Sequence, residues 1–296
     1  MTTTSRDGIE TADARVETRA AEHEIESTPT ASVRAAARGT RGAGRFFRSR
    51  GWGWVVVVAL LGAWQISAWI HYVPTVSSPL RVGAEWWEAV TEGDLLPALL
   101  DTLRTMAIGY AIAVPVGITI GFLMGRVRIV WATLEPLVEI LRLTPATAVI
   151  PVFILFLGLG DPMKIAVFLL AAVFPVLLNS YAGARSVSRI LRETAQTFRL
   201  GWWRTQWEVA LPAAIPFILV GARQALGLSL VMAVVIGMLA GNGGIGYYIL
   251  MAQQALNIPQ LFAAVATVAA VGYGLNALFL ALERRLTRWR RTDAHV

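Results

Sequence analysis

The chain has no cysteine, a single lysine and few charges of any kind. Without cysteine there is no disulfide framework and no thiolate metal site. The three histidines, His23, His71 and His295, are too far apart in sequence to suggest a metal centre. The one lysine, Lys164, follows "GDPM", so a phosphate-cradling G-x-x-x-x-G-K-[ST] loop is excluded. G-x-S-x-G and H-E-x-x-H are missing as well, and no carboxylate pair stands out, so no catalytic residue is assigned. Charged residues make up 15% of the 296, against about 25% in a soluble domain. The chain is short of polar surface.

What is present is oil in long runs. Hydrophobic residues reach 56%, with a mean hydropathy of +0.58. No Asp, Glu, Lys or Arg occurs in 51–80, 105–125, 143–160, 165–184 or 224–282. A membrane-spanning helix needs roughly 17–25 apolar residues. The first four runs hold one span each. The last holds two, divided by Gly241–Gly244 and by Gln253, Gln254, Asn257 and Pro259. The expectation is an all-α integral membrane protein with six transmembrane helices, near 52–72, 98–124, 137–158, 165–185, 217–239 and 262–282.

Arginine gives the orientation. The N-terminal segment carries nine arginines, ending Arg45, Arg48 and Arg50. Arg126 and Arg128 lie between the second and third spans. Arg185, Arg189, Arg192, Arg199 and Arg204 follow the fourth, and Arg284, Arg285, Arg288, Arg290 and Arg291 follow the sixth. These segments alternate with poorly charged ones. The positive-inside rule therefore puts both termini in the cytoplasm. The net charge of +7 then needs no nucleic acid to explain it. Residues 1–44 are rich in Thr, Ala, Arg and Glu and lack aromatics, which reads as a disordered cytoplasmic tail. Residues 45–291 form the six-helix domain, and 292–296 a short C-terminal tail.

Three features inside the spans carry expectations. Gly109, Ala113, Gly117, Gly121 and Gly125 recur every fourth position and make a smooth stripe for close helix packing, while Pro115 interrupts the same helix. Pro145 and Pro151 make the third span irregular, and irregular backbone is tolerated where it lines a cavity. Arg142 and Thr144 stand beside it as candidate pathway residues with Pro145. Arg142 has a plainer alternative, a membrane-edge charge paired with Glu139. Asn179 in the fourth span is suited either to interhelical hydrogen bonding or to a pathway. "GNGGIG", Gly241 to Gly246, matches a dinucleotide fingerprint only in letters. A membrane span precedes it and the next acid is Glu283, so it reads as a flexible turn.

One charged segment interrupts the oil: "RETAQTFRLGWWRTQWEVALP", residues 192–212. "RETAQTF" reads as a short helix, Gly201 as a turn, and "WWRTQWEVALP" as a second short helix ending where Pro212 and Pro216 interfere. Trp202, Trp203 and Trp207 fit a membrane-interface belt or a protein interface. The segment resembles the coupling loop of ABC importer permeases, whose usual form is E-A-A, three residues, Gly, then about ten residues to I-x-L-P. Glu193, Ala195, Leu211 and Pro212 match, with nineteen positions from Glu to Pro. "SSPLRV", "LEPLVEILRLTPATAVIPVFILFLGLG", "FPVLLNSYAGARSV", "ALPAAIPFILVGARQALGLSL" and "GGIGYYI" are similar to the nitrate/sulfonate/taurine branch, over about residues 75–291. Three positions depart from the pattern. Arg199 stands at the motif glycine with Gly201 two residues late, Thr194 replaces the first alanine, and Gly237 stands where relatives often carry an acid.

The resemblance implies a type I ABC importer permease in a bacterial inner membrane, with the loop at about 186–214 docking on an ATPase through Glu193, Ala195, Gly201, Leu211 and Pro212. It implies a second permease chain, most simply a homodimer, two ATPase subunits that hold ATP and Mg, and an extracytoplasmic binding protein that delivers the solute. No cofactor is implied in this chain. Small anions such as sulfonates, nitrate or taurine are the implied cargo, although the branch also includes carriers of neutral or cationic vitamins and precursors. Two other readings fit a polytopic chain: an ion-gradient transporter, which would need acids near the bilayer midplane, and a membrane scaffold that transports nothing.

Overall fold

The computed structural model describes residues 50–70 and 77–287. The expected tails at 1–44 and 292–296 lie outside the described residues. Every described element is helical. The chain divides into two units, one ending at Ile66 and one beginning at Ser67. The first unit contains most of α1 (Arg50–Ile70), which falls on the first neutral run.

The second unit is organised around α6 (Asp161–Arg185). Gly160 and Pro162 open this helix, and Arg185 in its last turn complements the negative end of the helix dipole. Against it lies α3 (Leu95–Arg126), along its small-residue stripe. A Cβ at Gly109 would lie 2.6 Å from Phe168 Cβ, and one at Gly121 would overlap the Leu177 carbonyl. Ala113 is fully buried among Ala172, Val173 and Val176. Gly117 and Gly125 approach Val173 and Ala184 as closely. Lipid tails give no hydrophobic drive to pair helices, so this closeness, with its dispersion contacts, is what holds the two together. Pro115 sits within α3 without ending it.

The stretch expected as one span at 137–158 is two helices, α4 (Arg128–Leu143) and α5 (Ala146–Leu157), bent by 97°. The cause is local. A residue before proline is pushed out of the helical region, and Thr144 is extended (φ −75°, ψ 121°) ahead of Pro145. Pro151 does not break α5.

After α7 (Arg189–Thr197) the chain enters α8 (Trp202–Ala240). The short helix expected to stop at Pro212 and Pro216 does not stop. It opens at Trp202, widens into a π-helical stretch, Thr205–Ala210, and continues as a regular helix from Leu211. Pro212 offers no N–H and its ring crowds the carbonyl one turn back. The wider turn, with Leu211 N–H donating to Gln206 O five residues earlier, makes the room.

Beyond α8, the turn Gly241–Gly244 leads into α9 (Ile245–Gln254), and α10 (Ile258–Leu286) follows. The turn expected to be flexible is pinned. Ile245 N–H donates to the Thr102 hydroxyl at 2.8 Å, and Gly244 takes φ 86°, which suits glycine. A Cβ at Gly237 would meet Gly246 Cα at 2.6 Å, so α8 and α9 touch backbone to backbone and an acid there has no room. α2 (Pro79–Thr91), capped by Ser78, packs on α10, where Trp86 Nε1 donates to Thr267 Oγ1 at 2.9 Å. Among the described residues, α3, α6, α8 and α10 are long and apolar enough to cross a membrane, and the α4–α5 pair makes a fifth if counted as one. The apolar stretch Val55–Ile70 of α1 is shorter.

Candidate functional site

The break between α4 and α5 opens onto a cavity of about 560 Å³. Arg142, Thr144 and Pro145 line it from the break, Asn179 from α6 and Gln224 from α8. The four pathway candidates named from sequence therefore share one space. Arg142 lies in the last turn of α4, with Nε and Nη2 both donating to Glu139 Oε2, at 2.9 and 2.6 Å. The side chain is 39% exposed, so the ion pair expected at a membrane edge and a place on the cavity wall occur together. Asn179 Nδ2 donates to Pro175 O at 2.8 Å and to Gln224 Oε1 at 3.1 Å. It joins α6 to α8 and faces the cavity as well. Gln224 was not singled out by sequence reasoning, because an amide in a neutral run carries no pattern. Apart from Thr147, the remaining wall is apolar, including Phe174, Leu178 and Met232. A partly neutralised guanidinium, hydroxyls and amides on an oily wall offer polar contacts for a small solute.

The loop between α6 and α8 is the second site. Ser188 caps α7, its hydroxyl accepting from Leu191 N–H at 3.3 Å. Glu193 is half exposed and pairs with Arg189 at 2.6 Å, whereas Ala195 is buried at 3%. The turn is made at Arg199 and not at Gly201. Leu200 N–H returns to Ala195 O at 3.0 Å and Arg199 N–H to Gln196 O at 2.9 Å, the paired bonds of a Schellman helix end. Arg199 takes φ 50°, the left-handed conformation that glycine adopts freely. Gly201 is extended (φ −61°, ψ 159°) and starts α8. The departure from the family's pattern is thus one of residue type, while the backbone still turns at the motif position.

Trp202, Trp203 and Trp207 stand exposed on the first turns of α8, Trp202 and Trp203 edge to face at 4.7 Å. Leu211 and Pro212 are half-buried where the helix regularises. The link from loop to bundle was missed by sequence reasoning. Gln206, 5% exposed, accepts from Arg126 Nε at the end of α3, 80 positions away in sequence.

At the other end of α3, Lys164 is almost fully buried and holds Asp101 at 3.2 Å. Asp161 pairs with Arg104 at 3.6 Å nearby. Asp101, Asp161 and Lys164, with Asn242, Tyr247 and Gln260, edge a cavity of about 710 Å³ beside the glycine turn. Among the described residues, no group of His, Cys, Asp and Glu could hold a metal.

Residues 113–292 match the model of the binding-protein-dependent transport system inner membrane component. The chain is 31% identical over 246 residues to the Bacillus subtilis (strain 168) protein named "Putative aliphatic sulfonates transport permease protein SsuC", covering 82% of this chain and 89% of that one. It is 28% identical over 233 residues to the nitrate import permease protein NrtB of Leptolyngbya laminosa, covering 76% and 83%. It is 31% identical over 191 residues to the taurine transport system permease protein TauC of Escherichia coli (strain K12), covering 64% and 70%. Among solved structures, a chain of the inward-facing MetNI methionine ABC transporter shares the fold, with a TM-score of 0.59 at 17% identity over 65% of this chain and 96% of that one. The ion-gradient transporter and the scaffold are thereby set aside, and ATP hydrolysis belongs to a separate chain. The chain belongs to the binding-protein-dependent transport system inner membrane components: it is a multi-pass permease subunit of an ABC importer.

Proposed function

We propose that this permease carries a small oxyanion of the sulfonate, nitrate or taurine kind, and that the cavity at the α4–α5 break is part of its route. The observation that carries this is the convergence of Arg142, Thr144, Pro145 and Asn179 on one cavity, joined by Gln224. Arg142 Nη1 remains free among the described residues to meet an oxyanion, and the guanidinium is a planar fork matched to such groups. The relatives named for aliphatic sulfonates, nitrate and taurine all point to solutes with an oxyanion group.

The loop around α7 docks on the ATPase. Glu193, Ala195, Gly201, Leu211 and Pro212 are its working positions, with Glu193 presented outward and Ala195 seated against the protein. The chain crosses the membrane six times with both termini in the cytoplasm, in keeping with its arginine distribution. It pairs with a second copy of itself. Exposed Val265, Tyr273 and Leu278 along α10, and Val231 on α8, offer apolar surface for that partner. A binding protein delivers solute at the end opposite the loop.

The test is Arg142→Gln in vesicles reconstituted with ATPase and binding protein. ATP hydrolysis continues while solute accumulation falls about tenfold or more, the size of a lost charge-assisted contact. Arg142→Lys restores part of it. Wild-type transport by Arg142→Gln removes the support for an anionic cargo.

A further inference from the structure

We propose that the cleft between the α3–α4 junction and the end of α6 binds the phosphate headgroup of an anionic phospholipid. The cleft has a volume of about 330 Å³ and is lined by Arg126, Arg128 and Arg185, with Trp131 and Tyr181 among its walls. No carboxylate lines it. Arg104, Arg142, Arg189, Arg204 and Lys164 each hold an acid, whereas none of the three cleft arginines has one in ion-pair range among the described residues. Arg81, Arg192, Arg199, Arg223, Arg284 and Arg285 also have no acid in ion-pair range among the described residues, but the cleft gathers three such arginines in one place.

Three like charges gathered in one cleft repel, and a bound anion reverses that cost. The side chains are also arranged. The Arg185 guanidinium sits 5.5 Å from the Tyr181 ring centroid and donates to its hydroxyl, and Arg126 is fixed through Nε by Gln206. The start of α4 faces the same place. Its first turn brings the positive end of a 16-residue helix, set against the negative ends of α3 and α6, which Arg126 and Arg185 offset. The surroundings favour a lipid over a free anion. The cleft lies where two long apolar helices end, and Trp131 is of the type that marks a membrane interface. Basic pockets between membrane helices hold lipid phosphates by the same electrostatics. An acidic face of a soluble partner is the competing occupant. It is disfavoured because the cleft is concave and walled by aromatic rings, whereas the exposed charge and tryptophans of the loop are already turned outward.

The experiment uses the assembled permease and ATPase, stripped of lipid in a neutral detergent and titrated with phosphatidylglycerol, phosphatidylcholine or inorganic phosphate, with bound lipid counted by native mass spectrometry. Phosphatidylglycerol is retained and phosphatidylcholine is not. Arg128→Gln combined with Arg185→Gln weakens retention about tenfold or more, and exposed Arg128→Gln alone gives a smaller loss. Arg284→Gln with Arg285→Gln, an equal loss of charge elsewhere, leaves retention unchanged. Equal retention of phosphatidylcholine, equal loss in the control pair, or wild-type retention by the cleft variant overturns the proposal. Displacement of the lipid by millimolar phosphate would make this a free-anion site. Loss of the ATPase with lipid retention intact would give the arginines to the protein partner. Either result also overturns the proposal.

Discussion

The two ends of α3 are fastened by different chemistry. At the Asp101 end, a buried lysine from α6 grips a carboxylate, and the Thr102 hydroxyl pins the glycine turn that starts α9. At the Arg126 end, one hydrogen bond to Gln206 joins the helix to a loop whose tryptophans and charged residues face outward. Between them runs a helix contact with no room for a side chain at Gly121. Lys164 is buried while Asp101 is one-third exposed, so separating the pair strands the lysine charge in a poor solvent. A single polar bond to an exposed segment can be remade. The Asp101 end is therefore the more firmly fixed of the two, and the Arg126 end the more easily remade.

The comparison depends on the shared axis, so the largest effect comes from breaking it. Gly121→Leu must displace the Leu177 carbonyl and costs about 3 kcal/mol or more, read as loss of assembled complex on size exclusion. Normal assembly with changed solute preference would instead place this face on the route. Next is Glu193→Lys at the loop end. Its exposure keeps the stability change within about 0.5 kcal/mol, yet copurification with the ATPase and transport both drop. Wild-type copurification would mean that the loop is not the docking element. Lys164→Met tests the more firmly fixed end. Because Asp101 is one-third exposed, the penalty is about 1–3 kcal/mol, seen as a lower thermal midpoint with ATPase binding intact. The smallest effect is Arg199→Gly, which relieves a left-handed arginine and raises stability by at most about 1 kcal/mol, while Arg199→Val lowers it.

Much of this was legible in the sequence, for physical reasons that differ by element. The spans announce themselves because charge is costly in lipid and leaves clear gaps. The break at Pro145 is legible because proline pushes the residue before it out of the helical region, as Thr144 shows. The loop is legible as a motif, and its turn was misplaced because glycine usually marks a left-handed residue. Here Arg199 adopts that shape, and Leu256 does the same after α9. The stop expected at Pro212 fails because a proline near a widened turn needs no helix end. The grip of Lys164 on Asp101 spans 63 positions, and nothing local in either residue points to the other. α2 and α9 went unseen as elements because they are short and border longer runs that dominate the pattern.

The π-helical stretch Thr205–Ala210 has a consequence for phase. A wide turn takes up one residue more than a regular one, and each residue advances a helix by about 100°. The tryptophans before the stretch are thus rotated by roughly that amount relative to the face they would share with the rest of α8 in an unbroken helix. Gln206, within the stretch, accepts from Arg126. If the wide turn migrates along the helix by one residue, the residue it passes changes face while the segments on either side keep their relative phase.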